Sequence, residues 1–341
     1  MPSYFQIVIL AVIQGLCELL PVSSSAHVIV AERIMGLNPS APSMTLLLVM
    51  LHTGTMFAVI FYFWKEWKRS YFSSWKTFWK VAKQLFVATF VTGIVGWCLK
   101  ILIEKIFMRH LPHAEVEHLF SNLPLIAVAL AAVGFLMIVA GVRSEKIDFF
   151  RNSTADANDG GAPNVIPAEA GIASSSTSLY TPGLRAEAPC PSSPAASFER
   201  SLMKTFQVLN IQSSCWIGLI QGFCLPFRGF SRSGSTISMG LLLGISKKNI
   251  EEFSFALAVV LTPIVLVKEL HRFLQDSTMS QHTQTFSMLS QCGMGMVLSF
   301  LAGLVALKWL SRWLEGGHWK FFGFYCLFAA GGITILNHFF L

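Results

Sequence analysis

A carboxylate stands where an apolar run would not place one by chance. In residues 13–27, IQGLCELLPVSSSAH, Glu18 follows Gln14 by four positions and precedes Pro21, Ser23, Ser24, Ser25 and His27. Residues 220–234, IQGFCLPFRGFSRSG, repeat the plan: an apolar run, Pro226, then a polar knot with Arg228, Ser231, Arg232, Ser233 and Gly234, continued by Ser235 and Thr236. On a helix Gln14 and Glu18 project from one face, one turn apart. A carboxylate beside an amide oxygen suits a hard divalent cation such as Mg2+ or Ca2+; a buried glutamate satisfied by hydroxyls or an arginine fits the same spacing. The serines after the break open a second helix, where they cap the backbone or help its free N–H groups hold an anion. His27 is either a general acid or base within a turn of those hydroxyls or a hydrogen-bonded core histidine. In the second copy, a guanidinium, several hydroxyls and a glycine at a helix start are what a phosphate requires, unless Arg232 pairs structurally with Glu18. Arg228 serves either the anion or the carbonyls at the break. Combined, the two knots make a site for a phosphate ester or anhydride with a divalent metal, and so for phosphoryl transfer or hydrolysis.

The chain that must position these residues has 341 of them, 53% hydrophobic and only 13% charged. That composition belongs to an integral membrane protein, so the net charge of +7 reads as membrane topology and not as a nucleic-acid footprint. The seven cysteines show no metal or redox spacing and read as small apolar residues. The start of the chain carries no basic, cleavable leader pattern. Six apolar stretches are long enough to cross a bilayer: 44–64, 83–103, 119–142, 250–267, 286–307 and 321–341. The two polar knots could not face lipid, which predicts re-entrant helical hairpins over 4–36 and 205–246. The fold class is therefore an all-α polytopic membrane protein of two inverted-topology repeats, each a re-entrant hairpin plus three transmembrane helices. The repeats are 1–142 and 205–341, joined by 143–204. Basic residues concentrate in 65–80, after Val142, at Lys247 and Lys248, and at Lys308, Arg312 and Lys320. They fall on one side, cytoplasmic by the positive-inside rule. Residues 152–198, rich in Ala, Ser, Pro and Gly, predict a disordered cytoplasmic insertion, either dispensable for chemistry or a docking segment.

At these residues the chain strongly resembles the BacA-type undecaprenyl-pyrophosphate phosphatases of bacteria, over nearly all of its length except the insertion. The family's first motif corresponds to Gln14, Glu18, 21–25 and His27. Its second corresponds to 229–234, with EFSF at 252–255 in the following helix. The chain departs at Arg228, where the family usually has a proline, and in the length of its insertion. The resemblance implies hydrolysis of undecaprenyl diphosphate to the monophosphate and inorganic phosphate. With it come lipid-carrier recycling for peptidoglycan synthesis, bacitracin resistance, a divalent metal, and a site opening to the periplasmic side of the bacterial inner membrane. By position it implies Glu18 and Gln14 as the metal and pyrophosphate face, Ser24 and His27 as the catalytic pair, and Arg232 as the phosphate clamp. Ser23, Ser25, Ser231, Ser233, Gly234 and Thr236 would line the phosphate. Attack by Ser24 with His27 as base, and attack by a metal-activated water, both remain open, as does assembly into a homodimer. A transporter or flippase for an anionic prenyl lipid would use the same broken helices, but would not need Glu18 together with His27. The acid-phosphatase-like lipid phosphatases would need a histidine and an aspartate downstream of Ser231 and Arg232 that the chain lacks.

Overall fold

The computed structural model describes residues 2–37, 42–107, 122–158, 209–276 and 282–339. Among them every regular element is an α-helix: α1 (Tyr4–Leu19), α2 (Ser24–Ile34), α3 (Pro42–Ser70), α4 (Trp75–Phe107), α5 (Leu123–Asn158), α6 (Ile211–Cys224), α7 (Arg232–Leu242), α8 (Lys247–Asp276), α9 (His282–Glu315) and α10 (Trp319–Phe339). Five of these, α3, α4, α5, α9 and α10, are long and apolar enough to cross a membrane, against six expected. The stretch expected at 250–267 lies in α8, which has the length and carries Glu251 and Glu252 in its second turn; the side chains of several residues from 264 onward lie outside the described set.

Both broken segments begin alike. At α1 the Ser3 hydroxyl accepts from the Gln6 N–H at 3.3 Å and Gln6 Oε1 accepts from the Ser3 N–H at 2.8 Å. At α6, Asn210 and Ser213 form the same reciprocal pair at 2.8 and 2.9 Å. Each pair satisfies two of the N–H groups that a helix start leaves without partners. α1 has 16 residues and α6 has 14, so they extend roughly 24 and 21 Å, short of the ~30 Å hydrocarbon core. Each ends just before its proline, and the chain re-enters a helix at Ser24 or Arg232.

The first arm of each broken pair packs on a long helix from the other half of the chain: α1 on α9 and α6 on α4. The glycine of each Ile-Gln-Gly makes this approach. A Cβ at Gly15 would lie 2.6 Å from both the Ser299 carbonyl oxygen and the Ala302 Cβ. One at Gly222 would lie 2.7 Å from the Val95 Cβ and 2.8 Å from the Thr92 carbonyl oxygen. α5 packs on α10, and α3 on α8 and α9, around a core that includes Leu130, Met137, Phe253, Phe255 and Trp319. Large apolar side chains such as Phe61, Trp64, Phe86, Phe135 and Phe328 point outward, as lipid contact requires.

Polar bonds gather one end of the bundle. Lys247 pairs with Asp148 at 2.7 Å and Lys320 with Glu145 at 3.0 Å, joining the starts of α8 and α10 to the far part of α5. Tyr62 donates to Ser311 at 3.1 Å, Ser311 donates to Glu251 at 2.6 Å, and Trp67 Nε1 donates to the Glu252 carbonyl at 3.3 Å. Lys247 and Lys320 thus both meet the far part of α5. Within 65–80 the basic residues stand on helix ends more than on a loop, because only 71–74 separates α3 from α4. α5 stays helical to Asn158, past the expected start of the insertion at 152, and residues 159–208 lie outside the described residues.

Candidate functional site

The last turn of α1, the first turns of α2 and α7, and the middle of α3 meet at Glu18. Its Oε1 accepts from Arg232 Nη2 at 3.0 Å. Its Oε2 accepts from the Ser24 hydroxyl at 2.6 Å and from Gln14 Nε2 at 3.2 Å, and His52 Nε2 approaches the same oxygen at 3.6 Å. The Ser24 bond lies in the short range of O–H···O⁻ contacts, so the carboxylate is the natural acceptor of the Ser24 proton. The Glu18 and Arg232 side chains are 16% and 22% exposed. Arg232 reaches Glu18 because it opens α7, whose N-terminus is fixed by Ser231: its hydroxyl accepts from the Gly234 N–H at 3.1 Å.

The two breaks are also joined directly. The Gly229 N–H donates to Ser25 Oγ at 3.3 Å, and Ser25 Oγ lies 3.3 Å from Ser23 Oγ. Ser23 takes φ 68°, a conformation non-glycine residues seldom adopt, and its side chain does not cap α2. The N-terminus of α2 therefore lacks the side-chain cap that Ser231 gives α7, and it points toward the groups around Glu18.

Of the residues singled out in the sequence, Gln14, Glu18, Ser24 and Arg232 converge. His27 stands apart from Ser24: its Nδ1 bonds the Ser23 carbonyl at 2.8 Å and its Nε2 the Tyr325 hydroxyl at 2.9 Å, with the two rings stacked at 5.8 Å. Ser233 lies 3.4 Å from Ser231 across their hydroxyls. Thr236 is fully buried and turned away, bonding the Arg232 carbonyl at 2.9 Å and sharing a hydrogen bond with Ser254 at 2.6 Å.

A small cleft opens beside Glu18 and Arg232. His52 and Thr55 of α3 line it, with Phe255, Ala258, Val259 and Thr262 of α8 as a largely apolar wall. Two residues here were not singled out in the sequence, His52 and Tyr325. His52 left a signal, a lone titratable residue within an otherwise uncharged span. Tyr325 left none, being one tyrosine among the aromatics of α10. Among the described residues no three of His, Cys, Asp and Glu gather as a ready metal cage. Glu18 and Gln14 supply one carboxylate and one amide, a set that fits a hard cation only when phosphate oxygens complete its shell.

A family profile described as "Bacitracin resistance protein BacA" matches residues 7–163 and 193–332, and so leaves out 164–192 within the insertion and a few residues at each end. The chain is 47% identical over 331 residues to a protein of Acinetobacter baylyi named undecaprenyl-diphosphatase 2, covering 96% of each. It is 24% identical to the undecaprenyl-diphosphatase of Desulfitobacterium hafniense, covering 98% of this chain and 95% of that one. With the undecaprenyl-diphosphatase 1 of Clostridioides difficile it shares 26% identity, over 99% and 96% respectively. Both polar knots fall inside the matched residues, and the chain belongs to the bacitracin resistance protein BacA family.

Proposed function

We propose that the protein is a membrane-embedded diphosphatase that hydrolyses undecaprenyl diphosphate to undecaprenyl phosphate and inorganic phosphate. The observation that carries this reading is the placement of the Ser24 hydroxyl 2.6 Å from a carboxylate that Arg232 also holds. In the proposed reaction the terminal phosphate draws Arg232 and the N-terminus of α2 toward it. Ser24 Oγ attacks the terminal phosphorus while Glu18 takes its proton. The bond from that phosphorus to the bridging oxygen breaks, and undecaprenyl phosphate leaves with the electron pair. Water then attacks the phosphoserine, the bond from phosphorus to Ser24 Oγ breaks, Ser24 takes back the proton held by Glu18, and the water's own proton leaves with inorganic phosphate. His27, bonded at both nitrogens, braces the Ser23 turn in this scheme and thereby aims Ser24. Mg2+ or Ca2+ would be held by Glu18 and Gln14 with the substrate's own oxygens and would neutralise phosphate charge.

The proposal includes the membrane arrangement. α1 with α2 and α6 with α7 form two re-entrant hairpins, α8 is the sixth span, and the halves are inverted repeats. Support comes from the short first arms and from packing that survives exchange of the halves, α1 on α9 matching α6 on α4. The basic end is cytoplasmic and the site faces the periplasm, where the diphosphate is released by envelope glycan synthesis; bacitracin resistance would follow from its removal. The test is phosphate release from farnesyl and undecaprenyl diphosphate by detergent-purified protein, with Mg2+ or Ca2+ and with EDTA, for wild type, Ser24→Ala and Arg232→Ala. Release by wild type that both substitutions abolish supports the reading. Lipid binding without release under any metal would overturn it in favour of a carrier's anion site.

A further inference from the structure

The cleft contains a polar atom that the reaction above does not use. His52 lies in the middle of α3, ten residues after Pro42 and 18 before Ser70, roughly 15 and 27 Å from the helix ends along its axis. A titratable side chain at that depth is expensive unless it is occupied or functional. One nitrogen is occupied. Nδ1 lies 2.8 Å from the Leu48 carbonyl one turn back, and since a carbonyl can only accept, Nδ1 carries the hydrogen. That bond fixes the ring plane and points Nε2 at Glu18 Oε2. The separation, 3.6 Å, is too long for a hydrogen bond between them. The His52 side chain is 39% exposed, more than either Glu18 or Arg232, and what it faces is the cleft that these two also line.

We propose that His52 is a third anchor for the substrate, its Nε2 hydrogen-bonding the terminal phosphate on the side of Glu18 away from Arg232. The bond needs one proton, and either Nε2 or a phosphate oxygen can hold it, so the contact is defined by placement. With Arg232 opening α7, Ser24 opening α2 and His52 on α3, the diphosphate would be gripped from three elements and not only from the two hairpins. The apolar wall of Val59, Phe255, Ala258 and Val259 would receive the first isoprene unit beyond it.

This inference rests on the diphosphatase reading, and one set of measurements separates the two. Phosphate release from farnesyl diphosphate is followed for wild type, His52→Leu and His52→Gln, with kcat and KM determined separately and unfolding in detergent compared. Loss of a hydrogen bond to a charged group predicts a KM for His52→Leu about tenfold to a hundredfold above wild type. His52→Gln, which keeps a donor and an acceptor at similar reach, is expected to recover at least tenfold of a hundredfold loss, or most of a smaller one. A purely structural His52 would lower the yield of active protein and so kcat, leaving KM unmoved. An unchanged KM in His52→Leu, or a Gln variant no better than Leu, overturns the inference. Should His52→Leu not fold, His52→Met, of similar length and without a donor, is read in its place by the same criteria. If wild type releases no phosphate, the diphosphatase reading fails; if wild type is active and the variants match it in KM, only this inference fails.

Discussion

Glu18→Gln keeps the size of the side chain and removes its charge, which makes it the sharpest probe of the proposed chemistry. In the native site one carboxylate accepts from Ser24 at 2.6 Å, Arg232 at 3.0 Å and Gln14 at 3.2 Å. An amide retains one acceptor oxygen and presents an NH2 group either to Arg232, which then loses its bond, or to Ser24, whose bond is reversed so that the hydroxyl no longer donates. A positioned base is worth roughly 10²- to 10⁴-fold, or about 2.7–5.5 kcal/mol of barrier. The expected result is a kcat for farnesyl diphosphate lower by that factor. KM should change by less than about tenfold, because Arg232, released from Glu18, remains free to bind phosphate. Arg232 is also partly open to solvent, so the stability loss should stay near 1–2 kcal/mol, at the low end for charge-assisted bonds. Ser24→Ala should lose at least as much kcat, and the double variant no more than the worse single one, since two residues serving one step are not additive. The assay is steady-state phosphate release alongside thermal unfolding in detergent. A Glu18→Gln kcat within tenfold of wild type, or a double variant showing the full product of both losses, would refute Glu18 as the acceptor of the Ser24 proton.

Three further outcomes follow from separate contacts. Tyr325→Phe removes only the hydroxyl that bonds His27; it should cost about 0.5–1.5 kcal/mol in unfolding and lower kcat more than it raises KM, and an unchanged kcat would detach His27 from the aim of Ser24. Gly222→Ala puts a methyl group 2.7 Å from the Val95 Cβ, and overpacking of this kind costs about 1–3 kcal/mol, so unfolding should shift clearly while the exposed Gly93→Ala of α4, where a Cβ meets nothing within 4 Å, should not. Replacing residues 164–192, which the family profile passes over, by a short Gly/Ser linker should leave phosphate release within about twofold, as measured per mole of folded protein.

What the sequence revealed and what it concealed have physical reasons. Glu18, Ser24 and Arg232 were legible because polar groups stand out in apolar runs and because the Ile-Gln-Gly frame occurs twice, pairing residues more than two hundred positions apart. The partner of His27 was not, because Tyr325 comes from the last helix and proximity within a turn favoured Ser24 instead; the ring bonds the Ser23 carbonyl and the Tyr325 hydroxyl. His52 escaped notice since it adds no formal charge to its span. The loop expected at 65–80 shrank to a few residues because Lys65, Lys68, Lys76 and Lys80 are good helix formers with long stems and extend α3 and α4 past the apolar stretch.

The exchange of arms between halves has a consequence for biogenesis. α1 is made first, yet its packing surface on α9 lies near the end of the chain, and α4 must likewise wait for α6. Glu18 is therefore made long before Arg232 exists to neutralise it, and no half-finished chain holds the Glu18–Arg232 pair. The nascent first half must be sheltered, by the insertion machinery or by water at the interface, until its counterpart arrives. Residues 1–163 and 193–341 made as separate chains should thus be inactive alone and recover phosphate release only when synthesised together. Activity from either piece by itself would show that the interlocking is not required.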